Sequence, residues 1–424
     1  MAVRQDEHYD EWETMSTEAR ENYLNSRLRL QMRHLYDYST AARELFEKAG
    51  IKAGDINTIA DLPRLPVTRK EDIIRAQEEN PPYGGLIAVP EEDIERIFIS
   101  PGPVYEIQTT DIQWFSRALW AAGFRRGDIV LNSFTYHLSP AGMLMHEGLR
   151  QCGATVVVTG AGNTEIQLRA MKHLKVNGFL GTPSFLMVLI KKAEENGDDF
   201  KKDYNLQKAW FTGEPLAASV RKVFEQDYGI DTYQGYAVTE PGGVIAYECS
   251  HKEGYHLMDD YAIEIINSAD GLPVKAGEIG EIVITPVHNK AWGLIRFGTG
   301  DLSSIDINPC PCGRSSPKLT GILGRIGEAV KIRGMFVVGY EVDGVMKAFE
   351  EVTHYQMKIG RSGQRDSVEI IVSLKPGTHE KDIRDEIARN FQSRCRLKLD
   401  GISIVADAVF KPGYKKIEDN RTWQ

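Results

Sequence analysis

The chain has 424 residues, with 51 basic and 60 acidic side chains and a formal net charge of −9, which excludes a protein held to nucleic acid by a broad basic field. Its 42% hydrophobic and 26% charged content belongs to a globular chain with a large core, not to a disordered one. The longest near-apolar stretch, 178–190, is broken by Thr182, Pro183 and Ser184 and is too short to cross a bilayer, so no membrane partner is expected. The acidic first residues do not read as a secretory leader and five cysteines are too few for a disulfide scaffold, so a cytoplasmic location is expected.

Residues 16–46 carry Tyr23, Leu24, Leu28, Leu30, Leu35 and Tyr36 at largely helical spacing, with Ser16 or Thr17 as N-cap. A short helix, 69–79, lies between proline clusters. From residue 94 strands and helices alternate. Strands are expected at 94–99, 129–134, 154–158 (buried), 179–181, 209–212 and 230–233. Helices are expected around 112–122 and at 141–149, 166–174 (capped by Thr164), 183–195 and 217–226. That alternation predicts βαβ units and a mostly parallel sheet. Strands at 262–266, 280–285 and 294–297, separated by Gly and Pro turns, predict a β-rich subdomain. The last hundred residues predict strands at 336–338, 353–359, 367–374 and 402–409 with helices at 340–349 and 379–395, a small α+β unit.

Four segments stand out chemically. Thr212-Gly213-Glu214-Pro215 follows a strand, where ligands bind in parallel sheets; read alone it is also an ordinary β-to-α turn. Tyr236 to Gly242 places the Thr239 hydroxyl beside the Glu240 carboxylate, a pair suited to a phosphate and its Mg²⁺, or simply to a solvated helix start. In 294–302, Asp301 after two glycines can accept two sugar hydroxyls or close a turn. In 324–334, basic residues and glycines suit a hinge that touches ligand, or a polar linker.

In this order and spacing, together with 277–285, Leu294-Ile295-Arg296, Gly300-Asp301-Leu302, Cys310-Pro311-Cys312-Gly313-Arg314 and Gly181-Thr182-Pro183-Ser184, the segments resemble the adenylate-forming superfamily, most closely its phenylacetate–coenzyme A ligase family. The resemblance covers nearly the whole chain. It implies an α/β fold: a large N-terminal domain (1–325) with mostly parallel sheets and a β-rich subdomain, and a small mobile α+β C-terminal domain (326–424). It implies that Gly213, Glu214 and Pro215 line the adenine pocket and that Tyr236 stacks on adenine. Thr239 would contact the α-phosphate, Glu240 would ligate Mg²⁺, and Asp301 would hold the ribose with support from Arg325. Gly327-Glu328 would be the hinge.

Two departures qualify that picture. Relatives carry a Ser/Thr/Gly-rich loop ending in Gly-Lys after the first strand, whose N–H groups and lysine cradle the β- and γ-phosphates. Here residues 99–106 read Ile-Ser-Pro-Gly-Pro-Val-Tyr-Glu, with no lysine and two prolines that remove donors. Weak β/γ-phosphate binding is expected unless Arg296 or a C-terminal lysine substitutes. The family also places a catalytic lysine in a C-terminal Gly-Lys motif; residues 411–419 offer Lys415 first and Lys416 second.

Cys249 and His256, with Cys310 and Cys312, offer four soft or borderline ligands for a closed tetrahedral Zn²⁺. Family members look to have similar cysteines; His251 is a substitute ligand, and free thiols are the alternative. Phe134, Tyr136, His137 and Gly142 could shape a pocket for a flat aryl acid, or be ordinary core residues.

The expected activity is therefore ATP-dependent, AMP-forming activation of a small, aromatic carboxylic acid to its acyl adenylate and then its CoA thioester, with Mg²⁺, CoA and a structural zinc. Another acceptor (a carrier-protein thiol or an amine) and a degenerate nucleotide or acyl-CoA sensor are the alternatives. The partners are the acid and CoA, with a homodimer left open.

Overall fold

The computed structural model describes residues 8–100, 104–109, 115–268, 270–326, 330–333, 335–337, 339–363, 365–395, 397–411 and 413–421. The chain divides into two compact units, Met1–Ile326 and Gly327–Gln424.

The first unit begins with α1 (Thr17–Tyr38) and α2 (Thr40–Lys48). The Ser16 and Ser39 hydroxyls accept the N–H groups of Ala19 and Ala42 at their starts, the capping that Ser favours. Leu28, Met32, Leu35, Ala42 and Phe46 form one buried stripe, packed on Ala262, Val287 and Ile295. Next come α3 (Lys70–Glu79) and an antiparallel pair, β1 (Arg96–Ser100) and β2 (Val104–Gln108). The sequence pattern gives no sign of β2, which pairs with β1 from Arg96↔Gln108 to Ser100↔Val104.

The central layer follows as α4 (Ser116–Ala121), β3 (Ile129–Asn132), α5 (Ala141–Gln151), β4 (Thr155–Val158) and α6 (Thr164–His173). It continues through β5 (Gly178–Gly181), α7 (Pro183–Glu195), α8 (Phe200–Asp203), β6 (Lys208–Phe211), α9 (Ala218–Lys222), β7 (Asp231–Val238), β8 (Gly243–Tyr247) and β9 (Tyr255–Leu257). Then come β10 (Tyr261–Ile266), β11 (Gly280–Pro286), β12 (Phe297–Ser303), β13 (Ile305–Asp306), β14 (Lys318–Leu319) and β15 (Gly324–Arg325).

Among the described residues the main sheet runs β13-β14-β9-β8-β7-β6-β5-β3-β4. Its β7-to-β4 half is parallel and its β7-to-β13 half antiparallel. Alternate strand residues feed two cores. Val130, Leu180 and Trp210 face the layer of α4 and α5, while Leu131, Phe179 and Phe211 face α6 and α7. β4 is a correction: the run at 154–158 reads as a buried strand, yet β4 is the sheet's edge, with Val158 exposed. A second correction concerns 294–297. The strand starts at Phe297 and runs on to Ser303, because Arg296 sits at φ 48° and breaks the extension. In helix α6 the N-cap position is Asn163, whose side chain makes no capping bond, and Thr164 is the first helical residue. β12 belongs to a four-stranded sheet, β10-β11-β12-β15.

The second unit holds a ribbon of β16 (Val330–Ile332) and β17 (Met335–Val337), then α10 (Gly339–Lys347), β18 (Val352–Ser362), β19 (Arg365–Leu374), α11 (Glu380–Cys395), β20 (Gly401–Ile404) and β21 (Ile417–Asp419). Its sheet runs β20-β19-β18-β21. Val368, Ile370 and Val372 alternate onto one face and meet Val342, Val345, Ile383, Ile387 and Phe391 of the two helices. The run expected at 402–409 is a shorter strand followed by a single 3-10 turn at Asp407–Val409.

Candidate active site

The mouth of the site is built from strand ends. Gly213, just beyond β6, sits at φ 90°, a conformation that a side chain would strain. The Glu214 carboxylate accepts the Ser184 N–H at 2.6 Å, tying this turn to the start of α7, and Pro215 is exposed. One strand over, the Tyr236 hydroxyl donates to Asp301 Oδ2 at 2.7 Å. That bond bridges the main sheet and the β12 sheet. Arg325 Nε reaches the other oxygen, Asp301 Oδ1, at 2.6 Å, because Asp301 and Arg325 are register partners across β12 and β15. Gly300, at φ 73°, leaves only 2.9 Å between a would-be Cβ and the Ile326 carbonyl. Glycine is therefore required where the strand turns toward Arg325. Burial, reinforced by the Asp301 charge, holds the Tyr236 phenol well above its usual range, so it stays a donor.

Where β7 ends, the Thr239 hydroxyl donates to Glu240 Oε2 at 3.1 Å. Glu240 is buried, and Lys70 Nζ lies 2.8 Å from its Oε1. Burial alone would raise the Glu240 carboxyl, but the Lys70 charge and hydrogen bond hold it below the usual range. Lys70 opens α3, and the residues before it are sewn to β12. Thr68 N–H donates to the Arg296 carbonyl at 2.8 Å, Gly298 N–H donates to the Thr68 carbonyl at 3.0 Å, and Arg69 pairs with the fully buried Glu281. Glu281 in turn accepts the Gly300 N–H at 3.0 Å. Lys70, Glu240 and Asp301 thus hang on one connected framework. The sequence reading missed Lys70; its signal, a basic pair after Pro66 at a helix start, is common on solvated helices.

A cavity opens beside Thr239 and Glu240, lined also by Phe98, Glu106, Pro140, Leu144 and Trp292. Glu106 is buried, and its carboxyl is raised to about 8, first by burial and then by the nearby Glu240 charge, with the Ser100 hydroxyl and Lys70 pulling the other way. Phe134, Tyr136, His137 and Gly142 do not line this cavity. Phe134 packs against the main core, the Tyr136 hydroxyl accepts the Asn132 amide at 2.7 Å, and the Gly142 carbonyl accepts the same amide group at 2.9 Å. His137 is exposed.

Of the segment that stands in for the phosphate loop, Ser100 and Val104 pair across β1 and β2, while residues 101–103 lie outside the described residues. The hinge residues Gly327 and Glu328 lie outside them as well. Arg296 is not available as a replacement for the loop lysine. It is fully buried, bidentate to Glu264 at 3.0 Å and bonded to the Gly271 carbonyl at 2.8 Å. In the second unit Lys415 is exposed, whereas Lys416 pairs with Asp343 at 2.7 Å.

Cys249, His256, Cys310 and Cys312 come together, all buried, with their ligand atoms within 4.8 Å of one another. Cys249 and Cys310 sulfurs lie 3.7 Å apart, and Cys312 Sγ is 3.3 Å from His256 Nε2. The other ring nitrogen, Nδ1, faces the Ser316 carbonyl and hydroxyl at 3.2 Å, which leaves Nε2 for the cluster. The Cys249 thiol and His256 pull the Cys312 thiol far down against its burial, so a thiolate is favoured. His251, the substitute ligand, is absent from this group. The cluster also anchors the N-terminal segment. Arg314 Nε, two residues on, meets Glu13 Oε1 at 2.6 Å, and the Tyr247 hydroxyl donates to the same oxygen at 2.7 Å.

Residues 110–288 match the family model of the AMP-binding enzyme. The phenylacetate–coenzyme A ligase of Thermus thermophilus is 30% identical over 379 residues, 86% of this chain and 83% of that one. The enzyme of the same name from Escherichia coli is 29% identical over 411 residues, 93% and 92% of the two chains. A crystal structure of 2-hydroxyisobutyryl-CoA ligase with its acyl adenylate and CoA superposes with a TM-score of 0.90 at 23% identity, over 96% of this chain and 91% of that one, and shows the same fold. Fold and relatives together define an adenylate-forming acyl-CoA ligase. Within that class, the chain belongs to the phenylacetate–coenzyme A ligase family. Among the described residues no helix is long and apolar enough to cross a membrane.

Proposed function

We propose that the protein activates a small aromatic carboxylic acid with ATP, releasing pyrophosphate, and passes the acyl group to the thiol of CoA. The observation that carries this reading is the chain Tyr236–Asp301–Arg325 standing beside Thr239–Glu240 on one framework of strand ends. Asp301 has one oxygen on Tyr236 and one on Arg325, and both oxygens keep lone pairs for the ribose hydroxyls. The Tyr236 ring and the Gly213–Glu214–Pro215 turn would flank adenine, and Thr239 would donate to the α-phosphate. Glu240 and the Thr239 hydroxyl are hard oxygen donors and fit Mg²⁺, which when bound neutralises phosphate charge. Glu240 would hold it once Lys70 gives way. The cavity's Phe98, Leu144, Pro140 and Trp292 give an apolar wall suited to an aryl group.

The acid's carboxylate attacks the α-phosphorus, pyrophosphate leaves, and the CoA thiolate then displaces AMP from the acyl carbon. This chain supplies positioning and charge neutralisation. In the second unit, residues 327–424 would act as the lid, turning on Gly327-Glu328 between the two half-reactions, with exposed Lys415 the candidate for the α-phosphate. Cys249, His256, Cys310 and Cys312 fit a closed structural Zn²⁺ site: four soft or borderline donors, buried and within 4.8 Å of one another. The decisive experiment is acid-dependent pyrophosphate release from ATP, with and without CoA, over aryl and alkyl acids. Aryl acids should give pyrophosphate and a CoA thioester. Hydroxylamine-trapped adenylate without thioester would favour another acceptor. AMP binding without pyrophosphate release from any acid would favour the sensor.

A further inference from the structure

We propose that Glu106 is a second carboxylate ligand for the divalent cation of the nucleotide site, shared with Glu240, and that the Lys70 ammonium stands in for that cation when it is absent. The inference rests on the reading of Glu240 as a metal ligand and adds a residue that the lost phosphate loop brings into play.

On β2 the side chains alternate, so Val104 and Glu106 point inward while Tyr105 points to solvent. Glu106 is only 6% exposed, and its Oε1 makes no hydrogen bond among the described residues, the Ser100 hydroxyl being near enough only to pull its carboxyl down. A buried carboxylate oxygen without a partner is costly, and such groups call for a ligand or an ion. Glu106 lines the cavity that Glu240 also lines. Around the two acids stand Phe98, Leu144 and Trp292, so water screens them little. The positive charge beside Glu240 is Lys70, 2.8 Å away and 12% exposed. Glu106 keeps its proton near neutral pH until a cation displaces it. Hard carboxylate oxygens suit Mg²⁺ or Mn²⁺, which take one or two carboxylates and fill their remaining positions with water and substrate phosphates.

The placement has a chemical logic. Glu106 lies on β2 and closes the segment 99–106, where the resemblance places the Gly-Lys loop. A loop without its lysine grips the β- and γ-phosphates poorly. A cation held by two carboxylates instead of one is fixed more firmly and can carry that contact. Lys70, displaced from Glu240 by the metal, remains tethered at the first turn of α3 and close to the phosphates.

The test uses the full-length, zinc-replete protein and Mn²⁺ alone, without nucleotide or acid, with free Mn²⁺ read by electron paramagnetic resonance. Wild type should bind one Mn²⁺. Glu106→Gln, nearly the same shape, should weaken binding at least tenfold, roughly the effect of disturbing a metal's ligand set. Lys70→Met removes the competing ammonium and should tighten binding by a similar factor. Equal Mn²⁺ affinity in wild type and Glu106→Gln, or no Mn²⁺ bound by wild type at millimolar concentration, overturns the proposal. If Glu106→Gln does not fold by thermal melting, Lys70→Met decides it alone: unchanged or weaker binding there also overturns it. Because no acid or ATP is present, loss of pyrophosphate release with Mn²⁺ binding intact would sink the proposed activity and leave this site standing.

Discussion

Asp301 shows how one side chain's surroundings set its use. Tyr236 donates to one oxygen and Arg325 to the other, so the carboxylate is held in one orientation before any ligand arrives. Asp301→Ala should remove two charge-assisted bonds to ribose, each about 1.5–3 kcal/mol, and weaken AMP binding by well over tenfold in calorimetry. Tyr236→Phe keeps the ring and loses only the bond that orients Asp301, so its loss should be about 0.5–1.5 kcal/mol. AMP affinity unchanged in Asp301→Ala would place the nucleotide elsewhere. The pairing of Asp301 with a glycine-led strand was visible in the sequence as Gly-Thr-Gly-Asp. Its partner Tyr236 lies 65 positions away and could be joined to it only by resemblance. Lys70 was invisible for the same reason. Nothing local distinguishes it from other helix-opening lysines, and only the docking of 67–70 on β12 brings it to Glu240.

The segments that carry these side chains depend on one another. Residues 67–70 run beside the start of β12, and Arg69 closes on Glu281, whose carboxylate also takes the Gly300 N–H. Arg69→Met leaves that buried carboxylate with one partner fewer. It should cost about 1.5–3 kcal/mol in urea unfolding, and it should weaken AMP binding too, since Gly300 and Asp301 share the strand. A variant destabilised by that amount with AMP affinity intact would show that α3's docking supports folding and not the site. Most strands and helices could be read from periodicity, because alternating strand residues feed two cores and the helices bury one stripe. The pattern failed where burial did not decide. The apolar run of β4 lies at a sheet edge, and Leu294-Ile295-Arg296 is apolar around a buried ion pair without being a strand.

For the molecule as a whole, the Cys249, His256, Cys310 and Cys312 cluster ties distant parts of the first unit together, and beside it Arg314 locks Glu13 of the N-terminal segment. Protein purified without added zinc should carry about one equivalent, since closed sites of this donor set bind tightly. Cys310→Ser or chelation should lower the melting temperature far more than it changes turnover in the enzyme that remains folded. A metal-free native protein of unchanged melting temperature would refute the zinc reading. A further prediction follows from the absence of a lysine at 99–106 and from Arg296 being locked on Glu264. AMP or an acyl adenylate should bind more tightly, relative to ATP–Mg²⁺, than in relatives with an intact loop. Calorimetry with all three ligands measures that ratio, and a γ-phosphate seen gripped by residues 100–105 would show the loop to be competent.

By itself the sequence determined the class of fold, because hydrophobic periodicity is a local record of which faces are buried. Through its ordered motifs it also determined the family, and it singled out Thr239, Glu240, Asp301 and the Cys249, His256, Cys310 and Cys312 set as candidates. What only the tertiary structure decided is which of these residues meet. Cys249 and Cys310 are 61 positions apart, and their contact follows from β8, β9 and β14 lying side by side. The choice of His256 over His251 follows from the β9 register that pairs His256 with Lys318. Glu106 and Glu240, far apart in the chain, line one cavity, and Lys70 of α3 reaches Glu240. Long-range convergence of this kind is set by packing and register, which no local pattern of residues encodes.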